Sequence, residues 1–186
     1  MTTKKPIGIC VVQTHSSKRR SLRDRFSRWI TPRYIRWLVR RESVVILVGV
    51  AGTGKTTLLR KSHLELVDGM AAQNAHRSTN TASDAQPELP GALPDTPFAV
   101  DEVSVFDGAS VSRALVKLRG RGFVLAVQQL NDLEHLGVVD ELVEHHRVEF
   151  VYLDRGINRE CDEAESWVRR MWAKKWAKRI DASLAA

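Results

Sequence analysis

The sequence predicts an α/β fold of three layers, in which helices cover both faces of a mostly parallel central sheet. Short runs of apolar, largely β-branched residues alternate with stretches of helical periodicity, which is typical of successive β–α units. With 186 residues, of which 43% are hydrophobic, the chain has enough apolar side chains for one core. No internal repeat is present, and no apolar run approaches the ~20 residues of a membrane span.

Each element is predicted from its own pattern. The run SVVILVG at 43–49 is continuously apolar, as expected of a parallel strand that is covered on both faces. A helix is predicted over 109–120, where Val111, Leu115 and Leu118 share one face. The other expected strands are 7–13, 97–102, 123–129 and 148–154, and the other expected helices are 55–67, 130–136, 138–146 and 159–182.

The stretch from Asp68 to Pro97 differs from the rest in composition, since it is rich in Ala, Ser, Thr, Asn, Gln, Gly and Pro. Few of these side chains can be packed in a core, so we predict a long mobile loop over 69–97, with an irregular insertion as the alternative. The chain then divides into a basic N-terminal arm at 1–43, a core at 44–158 and a basic amphipathic C-terminal helix at 159–186.

Charge is distributed unevenly along the chain. Residues 1–43 hold 12 Lys and Arg against 2 Asp and Glu, and residues 44–166 hold 11 against 19. Residues 167–186 hold 6 against 1, which completes the net charge of +7. An acidic middle therefore lies between two basic arms, and a polyanion is expected to contact the arms.

The cysteines and paired histidines suggest no metal site. Cys10 and Cys161 belong to no ligand cluster, and two reduced thiols are typical of a cytoplasmic protein. His145 and His146 have no carboxylate or cysteine at ligand spacing, so we expect surface residues before a strand. The start of the chain lacks a signal-peptide cleavage pattern, and we read it as part of the fold.

A glycine-rich stretch, GVAGTGKTT at 49–57, directly follows the first clear strand and precedes a predicted helix. This is the pattern G-x-x-x-x-G-K-[ST], whose glycines let backbone N–H groups point at phosphate oxygens. Lys55 would reach the β- and γ-phosphates of ATP, and the Thr56 hydroxyl would help to hold Mg²⁺. The expected nucleotide-binding residues are Gly49, Gly52, Thr53, Gly54, Lys55, Thr56 and Thr57.

The strand PFAVDE supplies two acids for the same site. Asp101 ends an apolar strand, so its carboxylate is expected at the carboxyl edge of the sheet, where it would hold Mg²⁺ through water. Glu102 could take a proton from an attacking nucleophile or orient a water molecule. Asp101 is thus the predicted metal residue with Thr56, and Glu102 the predicted catalytic residue with Lys55.

The loop and the DE pair resemble P-loop ATPases that carry a catalytic glutamate beside the magnesium aspartate. The run FAVDEVSVFDGASVSRALVKLRGRGFVLAVQQLNDLEHLG is similar to the nucleotide domain of conjugative coupling proteins and the wider HerA/FtsK group of DNA pumps. The matching pieces are Asp101, Glu102, the RGRG at 119–122 and Gln128, within residues 43–155 overall. The resemblance implies a P-loop NTPase fold, and it implies that Gln128 lies between the nucleotide and the part that contacts DNA.

The chain departs from that family in size, because coupling proteins carry membrane helices and an added helical domain. It would be a minimal pump or an accessory ATPase of a mobile element. Thymidine kinases are a second resemblance, because they pair a P-loop with IDExxFF and this chain has VDEVSVFD. The zinc ribbon and tyrosine-bearing lasso of that family are absent. A nucleotide-dependent switch or scaffold is the third alternative.

The basic arms have three possible interpretations. Apolar residues are interleaved with charge in SKRRSLRDRFSRWITPRYIRWLVRR, where Pro32 is expected to divide two short helices, and in SWVRRMWAKKWAKRI. The arms could bind nucleic acid, most simply DNA, or lie on an anionic membrane surface. Alternatively, their apolar stripes pack on the sheet or on a neighbouring subunit.

From these patterns we expect a cytoplasmic ATPase, with peripheral attachment to a membrane as a variant. It would bind ATP with Mg²⁺ and act with DNA or a DNA-transfer or packaging assembly. ATPases of this kind often complete the site with an arginine from a neighbour, so a homo-oligomer or a partner protein is expected. Arg119, Arg121 and Arg155 are the candidate arginines.

Overall fold

The structure, a computed structural model, describes residues 9–13, 22–79 and 85–154, with the side chains of 31–79, 85–151 and 153. Its centre is one sheet of six strands in the order β1-β6-β2-β5-β4-β3, and all five neighbouring pairs are parallel. The predicted α/β class with a parallel sheet is therefore confirmed. The strands are β1 Ile9–Gln13, β2 Ser43–Val48, β3 Glu65–Asp68, β4 Phe98–Asp101, β5 Phe123–Val127 and β6 Arg147–Asp154.

Helices connect the strands and cover both faces of the sheet, which confirms the three layers. They are α1 Leu22–Arg40, α2 Lys55–Lys61, α3 Gly69–Thr79, α4 Gly108–Lys117, α5 Asn131–His135 and α6 Val139–His145. A 3₁₀ turn, Val103–Val105, follows β4. None of the helices in the described residues is long and apolar enough to span a membrane.

The core has two halves, one on each face of the sheet. On one face, Ile35 and Leu38 of α1 and Leu59 of α2 pack against alternate residues of the central strands. On the other face, α4, α5 and α6 pack over the remaining strand residues and Leu89. The predicted stripe of Val111, Leu115 and Leu118 lies in this second half, and all three side chains are buried. Each central strand is thus covered on both faces, as its continuous apolar sequence predicts.

The predicted helix over 55–67 is wrong in its second half. Helix α2 ends at Lys61, His63 adopts a left-handed conformation with φ of 52°, and β3 then begins at Glu65. A left-handed residue ends a helix because its carbonyl and N–H leave the helical path. Glycine usually occupies such a position, so a histidine there carries no sequence signal. Strand β3 is an edge strand that pairs with β4 alone.

The predicted loop over 69–97 is also wrong in its first part, because residues Gly69–Thr79 form helix α3. The Asp68 carboxylate accepts a hydrogen bond from the Ala71 N–H at 3.0 Å and so caps the helix. Ala72 packs against the core. Residues 85–97 contain no helix or strand, although Leu89 is buried among core residues.

Pro32 does not divide the first arm into two helices, since it lies inside the single helix α1. Proline removes one hydrogen bond from a helix, whereas burial of Ile35, Leu38 and Val39 against the sheet stabilises the segment that follows it.

His146, which we expected at the surface, is buried and stacks edge-on against Phe123. The predicted helix over 159–182 lies outside the described residues.

Candidate functional site

The carboxyl ends of three neighbouring strands bring the predicted site residues together. Strand β5 pairs with β2 on one side and with β4 on the other. The glycine-rich loop follows β2, Asp101 ends β4, and Gln128 follows β5. Since all three strands are parallel, these groups share one edge of the sheet, and Gln128 lies between the loop and the acids.

The loop that joins β2 to α2 is a tight concave turn. Gly52 and Gly54 have φ of 76° and 93°, a left-handed conformation that residues with a Cβ rarely adopt. Gly49 faces a different constraint, because a Cβ there would lie 2.7 Å from Thr53 Oγ1 and 3.0 Å from the Leu153 carbonyl oxygen. The Thr53 hydroxyl donates to the Val50 carbonyl at 2.8 Å and closes the turn. The glycines are therefore required by the shape of the backbone.

Lys55 is the first residue of α2, and its side chain is almost entirely buried beneath this loop. Its ammonium donates to the Gly49 carbonyl at 2.6 Å and forms an ion pair with Glu102 Oε1 at 3.2 Å. A buried ammonium requires such partners, because desolvation of an unpaired charge costs several kcal/mol. The lysine charge is held between the loop and the acidic strand end.

Thr56 and Asp101 form the second contact across the site. The Thr56 hydroxyl donates to Asp101 Oδ2 at 2.5 Å. Asp101 is buried, and its other carboxylate oxygen, Oδ1, finds no hydrogen-bond partner among the residues that the structure describes. A buried carboxylate oxygen without a partner is rare in proteins. The free Oδ1 of Asp101 is suited to coordinate a cation, or to accept a hydrogen bond from a water molecule bound to a cation.

The donor set fits Mg²⁺ better than a metal held by protein alone. Among the described residues there is no group of three or more His, Cys, Asp and Glu side chains placed to hold a metal ion. Mg²⁺ is usually bound by one or two protein oxygens, several waters and the phosphates of its substrate. Thr56 and Asp101 provide two oxygens of this kind, 2.5 Å apart.

Glu102 directly follows β4 and has an unusual backbone. Its φ and ψ are 51° and 55°, a left-handed conformation that is uncommon for a residue with a side chain. This geometry turns the chain sharply between the strand and the 3₁₀ turn. Its carboxylate contacts Lys55 through Oε1 and accepts a hydrogen bond from Gln128 Nε2 on Oε2 at 3.3 Å. The side chain is 17% exposed, so water has access to it.

Gln128 is positioned by a residue that the sequence analysis missed. Asp132 Oδ2 accepts hydrogen bonds from the backbone N–H groups of Gln128 and Gln129 at 3.0 and 3.1 Å. The turn between β5 and α5 is thereby held in one conformation. An aspartate five residues beyond a strand end is the sequence signal, because aspartate side chains commonly bind nearby backbone N–H groups in turns.

The start of α3 is a second feature that the sequence analysis missed. Asp68 of β3 is in register with Asp101 of β4, so both strands end side by side. The next residue, Gly69, packs against the backbone of the acidic pair, and a Cβ there would lie 2.6 Å from the Asp101 carbonyl oxygen and 2.8 Å from that of Glu102. Helix α3 therefore buttresses the strand end that carries both acids.

Thr57, Arg119 and Arg121 lie apart from this cluster. Thr57 is exposed on α2, beyond Thr56. Arg119 and Arg121 precede β5 and lie at the opposite, amino edge of the sheet. Arg119 forms two hydrogen bonds of 2.8 Å with Glu141, which raise the pKa of the guanidinium and lower the pKa of the carboxyl. Arg121 donates to the Pro94 carbonyl at 2.7 Å.

Arg155 lies outside the described residues, so the structure does not bear on it. Within one copy, neither Arg119 nor Arg121 can reach the candidate site, because the length of the sheet separates them from it. Arg119 or Arg121 of one copy could complete the site of a second copy, but not the site of its own copy.

Comparison of the sequence with protein-family models and with curated proteins found no match.

Proposed function

We propose that this chain is a Mg²⁺-dependent ATPase that works with DNA or with a DNA-transfer assembly. The observation that carries the proposal is the contact chain Thr56–Asp101 and Lys55–Glu102–Gln128, which joins residues from three strand ends at one edge of the sheet. Each residue type in this series of contacts has a defined part in phosphoryl transfer.

The glycine-rich loop and Lys55 would bind the phosphates. The turn at Gly52 and Gly54 is of the kind that directs backbone N–H groups towards an anion. Lys55 is placed under the loop and already donates to one loop carbonyl. On binding, its ammonium would exchange Glu102 for oxygens of the β- and γ-phosphates, which replaces one anionic partner by another.

Thr56 and Asp101 would hold Mg²⁺, which would offset the negative charge of the phosphates. The unpartnered Asp101 Oδ1 supports this assignment, since it is a buried acceptor for which the described residues provide no donor. Thr56 would contribute its hydroxyl oxygen and turn its proton away from the ion.

Glu102 would orient the attacking water and accept its proton. The water oxygen forms a bond to the γ-phosphorus as the bond to the β–γ bridging oxygen breaks, so the products are ADP and phosphate. Gln128 donates to the second oxygen of the same carboxylate. Gln128 would thereby hold the Glu102 side chain towards the phosphates. A movement of Glu102 would in turn displace Gln128 and the segment that begins α5.

The test separates hydrolysis from phosphate transfer. The purified chain is assayed for phosphate release from ATP with Mg²⁺, with and without DNA, and beside it for phosphate transfer to a mixture of nucleosides. We expect Mg²⁺-dependent release of phosphate, and Glu102→Gln should abolish it. Transfer to a nucleoside with no hydrolysis would assign a kinase instead, and nucleotide binding with neither reaction would assign a switch.

A further inference from the structure

Two helices that pack on the same face of the sheet both end in exposed basic residues. Helices α1 and α2 lie on the same face, where both contribute to one half of the core. Their C-terminal ends carry four exposed basic residues, Arg40 and Arg41 at the end of α1 and Arg60 and Lys61 at the end of α2. We call these four residues the α1–α2 basic surface.

Both helix ends point to the same edge of the sheet. Arg41 is two residues before β2 and Lys61 is four residues before β3, so both lie at the amino edge. Three strand spacings separate β2 from β3 in the sheet, which is roughly 14 Å at about 4.8 Å a strand. A duplex of that length carries about four phosphates on each strand. The two pairs of cations are therefore spaced to contact phosphates of one nucleic-acid segment.

The basic residues of this surface differ from other arginines of the fold in their partners. Arg113, Arg119, Arg121 and Arg147 each lie within 4.0 Å of a carboxylate oxygen of Glu88, Glu141, Asp95 and Glu149, respectively. No carboxylate in the described part of the chain forms an ion pair with Arg40, Arg41, Arg60 or Lys61. The exposed Glu42 and Glu65 lie at the same edge, so four basic side chains stand against two acidic ones, and this surplus of positive charge attracts a polyanion.

The apolar residues of α1 favour a nucleic acid over a membrane as that polyanion. A helix that lies on a bilayer needs an exposed apolar face, whereas Ile35, Leu38 and Val39 are buried against the sheet. Trp37 is the exposed large apolar residue of this segment, and it is stacked on Tyr34 and covered by the Arg41 guanidinium at 4.3 Å. What α1 presents to solvent over the described side chains is mainly charge.

From these observations we propose that the α1–α2 basic surface binds the phosphate backbone of DNA. The proposal rests on the proposed function for the choice of DNA as the nucleic acid. It assigns binding residues, Arg60 and Lys61, that belong to the helix following the nucleotide loop rather than to either basic arm. Helix α2 then joins the two sites directly, since it begins with Lys55 and ends in the DNA surface.

The experiment compares two double variants of the full chain that remove equal charge from two helices. Arg60→Gln with Lys61→Gln changes the proposed surface, and Arg113→Gln with Lys117→Gln is the control on the opposite face. Affinity for a fluorescein-labelled DNA duplex is measured over a range of salt concentrations. The first variant should bind about tenfold more weakly, with a log–log salt slope smaller by about 1.8 if each side chain neutralises one phosphate. The control should bind as the parent does.

Three results would overturn the proposal. These are equal losses in the two variants, an unchanged slope in the Arg60/Lys61 variant, and binding of phosphatidylserine vesicles in place of DNA. ADP binding is measured on the same samples. If the parent protein binds DNA through this surface but does not bind ADP, the ATPase proposal is wrong and the DNA surface is supported. If it binds ADP normally but the DNA test fails, the DNA surface is wrong and the nucleotide site is supported.

Discussion

The Lys55 ammonium and the Glu102 carboxylate form an ion pair of 3.2 Å, with side chains only 4% and 17% exposed. The residue that would bind phosphate is therefore paired with the residue that would activate water. A phosphate bound at Lys55 would compete with Glu102 for the positive charge, so we expect nucleotide binding to weaken this pair. Release of Glu102 would then coincide with the arrival of its substrate.

Lys55→Ala should abolish most ATP binding and turnover. The side chain lies under the glycine-rich loop and contacts Gly49 and Glu102, so its loss removes the central positive charge of the site. Lys61→Ala, in the same helix but exposed, is the matched control and should retain basal ATP turnover, measured without DNA. Binding is measured by calorimetry and turnover by phosphate release, and full activity of the Lys55 variant would disprove the site.

Glu102→Gln should separate binding from hydrolysis. Loss of a positioned base typically lowers the rate by ~10²–10⁴-fold, so phosphate release should almost stop. ADP affinity should rise by about fivefold, because an ion pair worth roughly 1 kcal/mol no longer holds Lys55 away from the phosphates. ADP is used because its binding does not depend on blocked hydrolysis. Weaker ADP binding would contradict competition between Glu102 and the phosphates.

Gln128→Ala should reduce basal turnover modestly and remove stimulation by DNA. The Gln128 amide contacts Glu102 at 3.3 Å, whereas its backbone is held by Asp132 and needs no side chain. The neighbouring Gln129→Ala is the control, since Gln129 is equally exposed and only its backbone contacts Asp132. Phosphate release is followed with and without DNA. Equal effects of the two substitutions would show that the contact of Gln128 with Glu102 is not what couples turnover to DNA.

Gly122→Ala should destabilise the fold by about 1–3 kcal/mol, the usual cost of forcing an atom into a packed interior. A Cβ at Gly122 would overlap with the carbonyl oxygen of Val39, so the end of α1 and the start of β5 would have to separate. Gly91→Ala is the control, because a Cβ there meets nothing within 4 Å. Urea unfolding measures both variants, and equal stabilities would contradict this close packing of α1.

The pH dependence of stability should include a contribution from His146. Burial lowers the pKa of its imidazole, against the opposing effects of its Leu115 hydrogen bond and of Glu141, and with smaller contributions from His145 and Arg119. The imidazole of the unfolded chain binds a proton near the ordinary pKa of about 6.5, whereas that of the folded chain binds it only at a lower pH. The free energy of unfolding should therefore fall as pH falls below about 6.5, with a slope of at most about 1.4 kcal/mol per pH unit.

Substitution of His146 by Gln should flatten this slope, since an amide does not titrate but can still donate to the Leu115 carbonyl, as the imidazole does at 3.2 Å. His145→Gln, at the exposed neighbour, should keep the slope. Urea midpoints from pH 5 to pH 8 provide the comparison, and an unchanged slope in the His146 variant would assign the titration to another group.

Local sequence patterns were sufficient to predict most of the strands and the residue types of the candidate site. Runs such as SVVILV and FVLAV are apolar at every position, and burial on both faces of a parallel sheet is the arrangement that accommodates them. The glycine loop and the acidic strand end were recognisable because their chemistry needs particular residues at particular spacings. Helix α2 and strand β3 were less predictable, because a histidine, and no glycine or proline, ends the helix between them.

What the sequence by itself determined is therefore the fold class and the identity of Lys55, Thr56, Asp101, Glu102 and Gln128 as candidates. Only the tertiary structure determined that β5 lies between β2 and β4, which brings Gln128 into contact with Glu102. It also placed α1 and α2 on one face, with basic ends together, and paired Arg119 with Glu141. The physical reason is that strand order and side-chain pairing join residues that are distant in sequence, whereas composition and periodicity report only on neighbours along the chain.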